Sequence, residues 1–180
     1  NDKAMFKFGY FNWNIKDYAA RQGVLTETVP GFSTWSLEMR NIDRARFEGM
    51  EFSSRYENNG FTAELAANYY LDVQFCVTAN TCENKTIPSD FGTNQIPPKY
   101  SANLTVSQKL FDDALTVGGR ATYNGARAAG HGTPIQGLAQ VVALVDWKPY
   151  WLFDVFAEYK LTNSITAWSS IENLTDQYYV

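Results

Sequence analysis

Apolar and polar residues alternate with a period of two along most of this chain, the pattern of strands that show a different environment to each side. In FTAELAANYYLDVQF (61–75), Phe61, Ala63, Leu65, Ala67, Tyr69, Leu71, Val73 and Phe75 share one face in a single unbroken register. Thr62, Glu64, Asn68, Asp72 and Gln74 take the other. KYSANLTVSQKL (99–110) repeats this, with Tyr100, Ala102, Leu104, Val106 and Leu110 against Lys99, Ser101, Asn103, Thr105, Ser107 and Lys109. LTVGGRATY (115–123) and WLFDVFAEYKLT (151–162) follow the same rule, and weaker alternation covers 3–13, 44–56 and 165–174. The pattern predicts seven strands and an all-β fold.

Three features decide which environment each face meets. The strands are long, and a tilted membrane-spanning strand needs about 9–11 residues where soluble strands centre on about 5–6. The links alternate in length. ENNG (57–60), FDDA (111–114) and TNS (162–164) are tight turns, whereas 16–43, 76–98 and 128–149 each hold about two dozen residues. Short turns on one rim and long loops on the other are the order of an up-and-down membrane barrel. Aromatic residues gather at strand ends (Trp13, Tyr56, Tyr69, Tyr100, Tyr123, Tyr150, Trp151 and Tyr159), where rings with a polar tip suit the membrane–water boundary.

The expected fold is therefore an antiparallel up-and-down transmembrane β-barrel, with its apolar face toward lipid. The polar face, carrying Glu51, Ser53, Arg55, Glu64, Asp72, Arg120, Asp154, Glu158 and Lys160, is expected to point into the lumen. In the four best strands no charge falls on the apolar face. A soluble β-barrel binding protein is the alternative, in which Leu65, Val106 and Val155 would fill a core. A passive porin is another.

Composition narrows the function. A net charge of −4 leaves no basic patch for a nucleic acid. The longest stretch free of charged residues, 128–145, is broken by Gly, Pro, Gln and His, so no apolar helix of about 20 residues is available to span a bilayer. The start, NDKAMFKFGY, lacks the layout of a signal peptide. No GxSxG, HExxH or phosphate loop occurs, and the one histidine makes most catalytic triads unworkable, so no enzymatic activity and no intrinsic cofactor are expected. Asp112-Asp113 reads as turn chemistry.

NIDRARFEGMEFSSRY (41–56), with its Asn, basic-Ala pair and Gly-x-Glu step, resembles a strand of TonB-dependent outer-membrane receptors. KYSANLTVSQKL and FDVFAEYKLTNSITAWSSIENLTDQYYV look like later strands of that family, ENLTDQYY most specifically. The resemblance implies strands fifteen to twenty-one of a 22-stranded barrel. It also implies a plug, a coupling box and a closing strand outside residues 1–180, so that the segment would not fold alone. It implies a multi-pass protein of the bacterial outer membrane, powered by a TonB-type energy-transducing complex. The cargo would be haem, with a haemophore as a partner at the outer loops, or else a ferric siderophore.

In that topology the long loops face outside. Cys76 and Cys82 then lie in an oxidised, surface-facing loop, where a disulfide is expected to stiffen it by about 2 kcal/mol, with a two-thiol metal site as the alternative. Arg127, His131 and Trp147 border or occupy the third long loop and are candidate contacts for a ligand or partner. His131 does not inherit a haem-ligand role, because the two short motifs that flank such ligands in haem receptors do not occur here.

Overall fold

Apart from one three-residue strand that folds back onto the strand before it, every described strand lies beside the next in the chain. The structure, a computed structural model, describes residues 3–29, 31–83, 97–126 and 148–179. Its strands are β1 (Ala4–Val29), β2 (Phe32–Asn58), β3 (Phe61–Thr78), β4 (Thr81–Glu83), β5 (Tyr100–Leu110), β6 (Leu115–Asn124), β7 (Tyr150–Thr162) and β8 (Ile165–Ile171). They form one antiparallel sheet in the order β1-β2-β3-β5-β6-β7-β8, with the short β4 folded back onto β3. No helix occurs among the described residues. The seven longer strands are those the alternation predicts.

The three tight turns fall where expected. Asn59 and Gly60 both have positive φ, 50° and 78°, as a two-residue hairpin turn between right-twisted strands requires. Phe111, Asp112 and Asp113 are also left-handed, and the Ala114 N–H donates to the Phe111 carbonyl at 3.0 Å. At the third turn the Ser164 N–H donates to Thr162 Oγ1 at 3.2 Å.

Register sorts the side chains into rows. On the apolar face, Phe8–Phe52–Ala67–Ala102–Tyr123–Trp151 forms one row, and Phe6–Ser54–Leu65–Leu104–Ala121–Phe153 forms the next. Most of its large side chains stand exposed, Phe6 and Phe8 at 71% and 70%, and Phe52, Leu65 and Tyr123 are half-buried, which is a lipid-facing surface and no core. Toward the long-loop side it ends in Tyr10, Tyr69 and Tyr100, the last two stacked at 5.0 Å, with Tyr123 against Trp151 at 4.8 Å. Toward the turn side it ends in Tyr56, Phe61 and Tyr159. Two aromatic belts thus bound the apolar band. Trp13 and Tyr150 do not belong to them: Trp13 packs on Phe11 at 4.8 Å and Tyr150 pairs with Asn124, both on the opposite face.

Three expectations are corrected. Residues 16–43 are not a loop, because β1 and β2 run on through them as a paired hairpin whose last rung joins Val29 to Phe32. Above Tyr10 this extension rises by at most about 60 Å at the rise of an extended strand. The register of β3 also slips. Gly49 pairs with Tyr70 but Glu48 pairs with Asp72, which leaves Leu71 as a bulge. Asp72 therefore shares a face with Glu48, Met50 and Tyr69, opposite to Glu64, and is not among the candidate lumen residues. Val73 and Phe75 turn inward for the same reason. Finally, β8 stops at Ile171, and ENLTDQYY is not strand.

Candidate functional site

The inward face above the Tyr10–Tyr69–Tyr100 belt carries an aromatic cluster. Below the belt, β1 and β2 place apolar residues at even positions (Phe6, Phe8, Tyr10; Met50, Phe52). Above it the apolar residues move to odd positions (Phe11, Trp13, Ile15; Phe47, Ala45). β3 keeps its apolar residues at odd positions throughout, and the Leu71 bulge is what brings its upper half into phase with β2. As a result Phe47, Val73 and Phe75 share a side with Ala45; beyond Asp17 (φ 51°), where the β1–β2 ladder has no 17–43 rung, the even-numbered Ala20 and Ile42 join the same buried cluster, with Phe11, Tyr18 and Tyr70 packed against it. Phe47 and Phe75 meet edge to face at 5.9 Å, Tyr18 lies about 6 Å from each, and Phe11 meets Tyr70 edge to face at 5.5 Å. These geometries are favoured by the ring quadrupole. Burial of this kind stiffens the base of the tall β1–β2 hairpin.

The outward face at the same height is charged. Tyr10 donates to Glu48 Oε1 at 2.7 Å, and Arg46 pairs with Glu48 at 2.5 Å. Farther along the hairpin, on the side shared by Ala20 and Ile42, Ser36 Oγ donates to Glu38 at 2.9 Å and Arg40 Nε donates to it at 3.0 Å. The Ser36 hydrogen bond first, and then Arg40, holds the Glu38 carboxyl below its ordinary pKa. Cys76 and Cys82 are opposite each other in the β3–β4 ladder and joined as a disulfide. Arg44 points at both sulfurs, from Nε to Cys76 Sγ at 3.3 Å and from Nη2 to Cys82 Sγ at 3.6 Å.

The inner wall below the belt is polar. Ladder pairing gathers Glu51, Arg55, Glu64, Arg120, Asp154, Glu158 and Lys160 onto one face, interleaved with Asn68, Ser101, Asn103, Thr105, Thr116 and Thr122. One row runs Arg55–Glu64–Thr105–Arg120–Asp154. Arg55 is clamped between Glu64 and Glu57, the latter at 2.5 Å. Lys7, Gly9, Glu51, Ser53, Ala66 and Asn68 line a shallow groove nearby.

Asp154 does more than add charge. Its Oδ1 accepts the Asn173 N–H at 2.9 Å, while the Phe153 carbonyl accepts the Leu174 N–H at 2.7 Å. Asn173, at φ 50°, then clamps Gln177 with both ends of its amide, Oδ1 at 2.9 Å and Nδ2 at 3.1 Å. The segment after β8 is thereby led back along β7 to the long-loop rim, where Tyr179 stacks on Tyr150 at 5.0 Å. Sequence reasoning missed this link, as it missed the aromatic cluster and Arg44. The phase change in β1 and β2 was the available signal for the cluster.

Arg127, His131 and Trp147 lie outside the described residues. Among the described residues no group of three or more His, Cys, Asp or Glu is placed to hold a metal ion.

Comparison with known proteins gives a consistent picture. Residues 1–174 match the family model for the TonB dependent receptor-like β-barrel. A hemophilin receptor of Acinetobacter baumannii is 26% identical over 175 aligned positions, covering 81% of this chain and 16% of that protein. Among solved structures, the copper transporter OprC superposes with a TM-score of 0.69 at 16% identity, over 100% of this chain and 24% of that one. The FrpB iron transporter of Neisseria meningitidis gives 0.67 at 18%, over 99% and 25%. The siderophore receptor PirA of A. baumannii gives 0.66 at 18%, over 98% and 26%. At these identities the likeness to solved structures concerns the fold. The chain spans about a sixth of the curated relative and about a quarter of each structure.

Proposed function

Since the chain belongs to the TonB-dependent receptor β-barrel family of the bacterial outer membrane, we propose that it forms one sector of the wall of an active importer for an iron chelate. Haem is the proposed cargo, handed over by a haemophore that docks on the outer loops and the tall β1–β2 hairpin. The polar inner face lines the lumen, where it packs around a plug supplied by the rest of the receptor. A TonB-type complex pulls on that plug to drive uptake, and this segment contributes wall and docking surface.

The match over residues 1–174 carries the importer reading. Likeness to a hemophilin receptor supports haem over a siderophore. A passive porin would share the barrel but not this family match. Lumen-facing residues in this reading are Glu51, Arg55, Glu64, Arg120, Asp154, Glu158 and Lys160, and Arg127, His131 and Trp147 are outer contacts.

The test is a haem titration of the complete receptor in detergent, followed by visible absorption. Saturable binding near one haem per receptor, weakened in His131→Ala if that loop contributes, is the expected result. No spectral change under conditions where a ferric siderophore binds would overturn haem and leave the importer standing.

A further inference from the structure

We propose that Cys76–Cys82 is a thiol-exchange site, opened by small-molecule thiols outside the cell, and that Arg44 is the residue that makes it labile. Three observations carry this. Cys82 is exposed, so its sulfur is open to attack, whereas Cys76 is buried. Arg44 offers an N–H to each sulfur, at 3.3 and 3.6 Å, and the Asp43 carboxylate stands farther off at 3.9 Å. Finally, β4 is three residues long and, among the described residues, pairs with β3 alone, so the bridge is a main fastening of β4 to the sheet.

A disulfide sulfur is a poor hydrogen-bond acceptor, while a thiolate is a charged and strong one. Arg44 therefore binds the reduced pair more tightly than the oxidised pair, and that differential interaction favours opening. Exchange is also faster when the departing thiolate is stabilised. The steps balance as follows. A small thiol, as its thiolate, attacks Cys82 Sγ. The Cys76–Cys82 bond breaks, a mixed disulfide forms on Cys82, and Cys76 departs as a thiolate held by Arg44 Nε. A second thiol then attacks the adduct and leaves with the first as a small-molecule disulfide. Two electrons have passed to the protein, and Cys82 is released. With the bridge open, β4 is held to β3 by its short ladder, and β4 is loosened from the sheet.

The experiment uses the complete receptor in detergent, equilibrated with graded mixtures of reduced and oxidised glutathione without denaturant. Free thiols are alkylated, and the peptides containing Cys76 and Cys82 are quantified by mass spectrometry. The pair is expected to open with millimolar reduced glutathione, and the mixed disulfide is expected on Cys82. Arg44→Gln should lower the equilibrium constant for opening about tenfold, the equivalent of one pKa unit on the released thiolate. Arg44→Lys, which keeps the charge but not the fork, should recover part of that loss. Heat-dependent gel migration verifies that each variant is folded. A pair that stays oxidised, a glutathione adduct on Cys76, or an Arg44→Gln variant that titrates like the natural receptor would each overturn the proposal.

Discussion

A single carboxylate decides where the chain goes after β8. Asp154 sits on the inner face of β7, and its Oδ1 accepts the Asn173 N–H. Asn173 adopts a left-handed conformation, which Asn tolerates better than most residues, and its amide fixes Gln177. Asp154→Ala leaves that partly buried N–H without its acceptor, at a cost of about 1–3 kcal/mol. The expected result is faster hydrogen exchange over 172–177 with little change in β5 and β6. Asp154→Asn retains an acceptor oxygen and should keep most of the protection. Uniform loss of protection across the sheet would show that Asp154 supports the wall as a whole. The alternation marks Asp154 as inward-facing, but no local pattern reveals its partner 19 residues away.

At the scale of the strand, the informative event is the bulge at Leu71. In β1 and β2 the apolar residues change phase near Tyr10 and Gly49, whereas in β3 they do not. Neighbouring strands can keep their apolar residues on a common face only if one of them slips by a residue. The slip falls at the upper aromatic belt, where the outward surface leaves lipid for water. Gly49 marks the spot: a Cβ there would lie 2.5 Å from the Tyr69 carbonyl oxygen and 2.6 Å from Phe11 Cζ. Gly49→Val should therefore destabilise the barrel by about 1–3 kcal/mol through overpacking, read as a lower urea midpoint in detergent. Val at Gly119, where the nearest atom to an added Cβ is 3.2 Å away, should cost less. Equal losses at both positions would argue that strand propensity, not close approach, sets the cost.

Taken whole, the sheet separates two solvents. Leu65 lies midway along β3 between Phe61 and Tyr69, on the lipid face in the row of Phe6, Leu104, Ala121 and Phe153. Leu65→Arg should cost about 2–4 kcal/mol of folding free energy in bilayers, the penalty of a cation at mid-membrane. Thr105→Arg, on the inner face beside Glu64 and Arg120, should cost far less. Refolding of the complete receptor into lipid vesicles under urea measures both. Comparable costs would mean that the two faces do not meet different media.

What the sequence determined by itself is what depends on local chemistry. Period-two alternation dictated the strands, Asn, Asp and Gly dictated the three tight turns, and long runs with uncharged apolar faces dictated lipid as the outer solvent. The tertiary structure alone decided what depends on pairing between strands distant in sequence. It turned 16–43 from a presumed loop into a hairpin, moved Asp72 to the outward face, brought Tyr18 against Phe47 and Phe75, and set Arg44 over the disulfide. The reason is physical. Alternation gives each residue a side of its own strand, but only the ladder says which side of the neighbouring strand it shares, and one slipped residue reverses the answer.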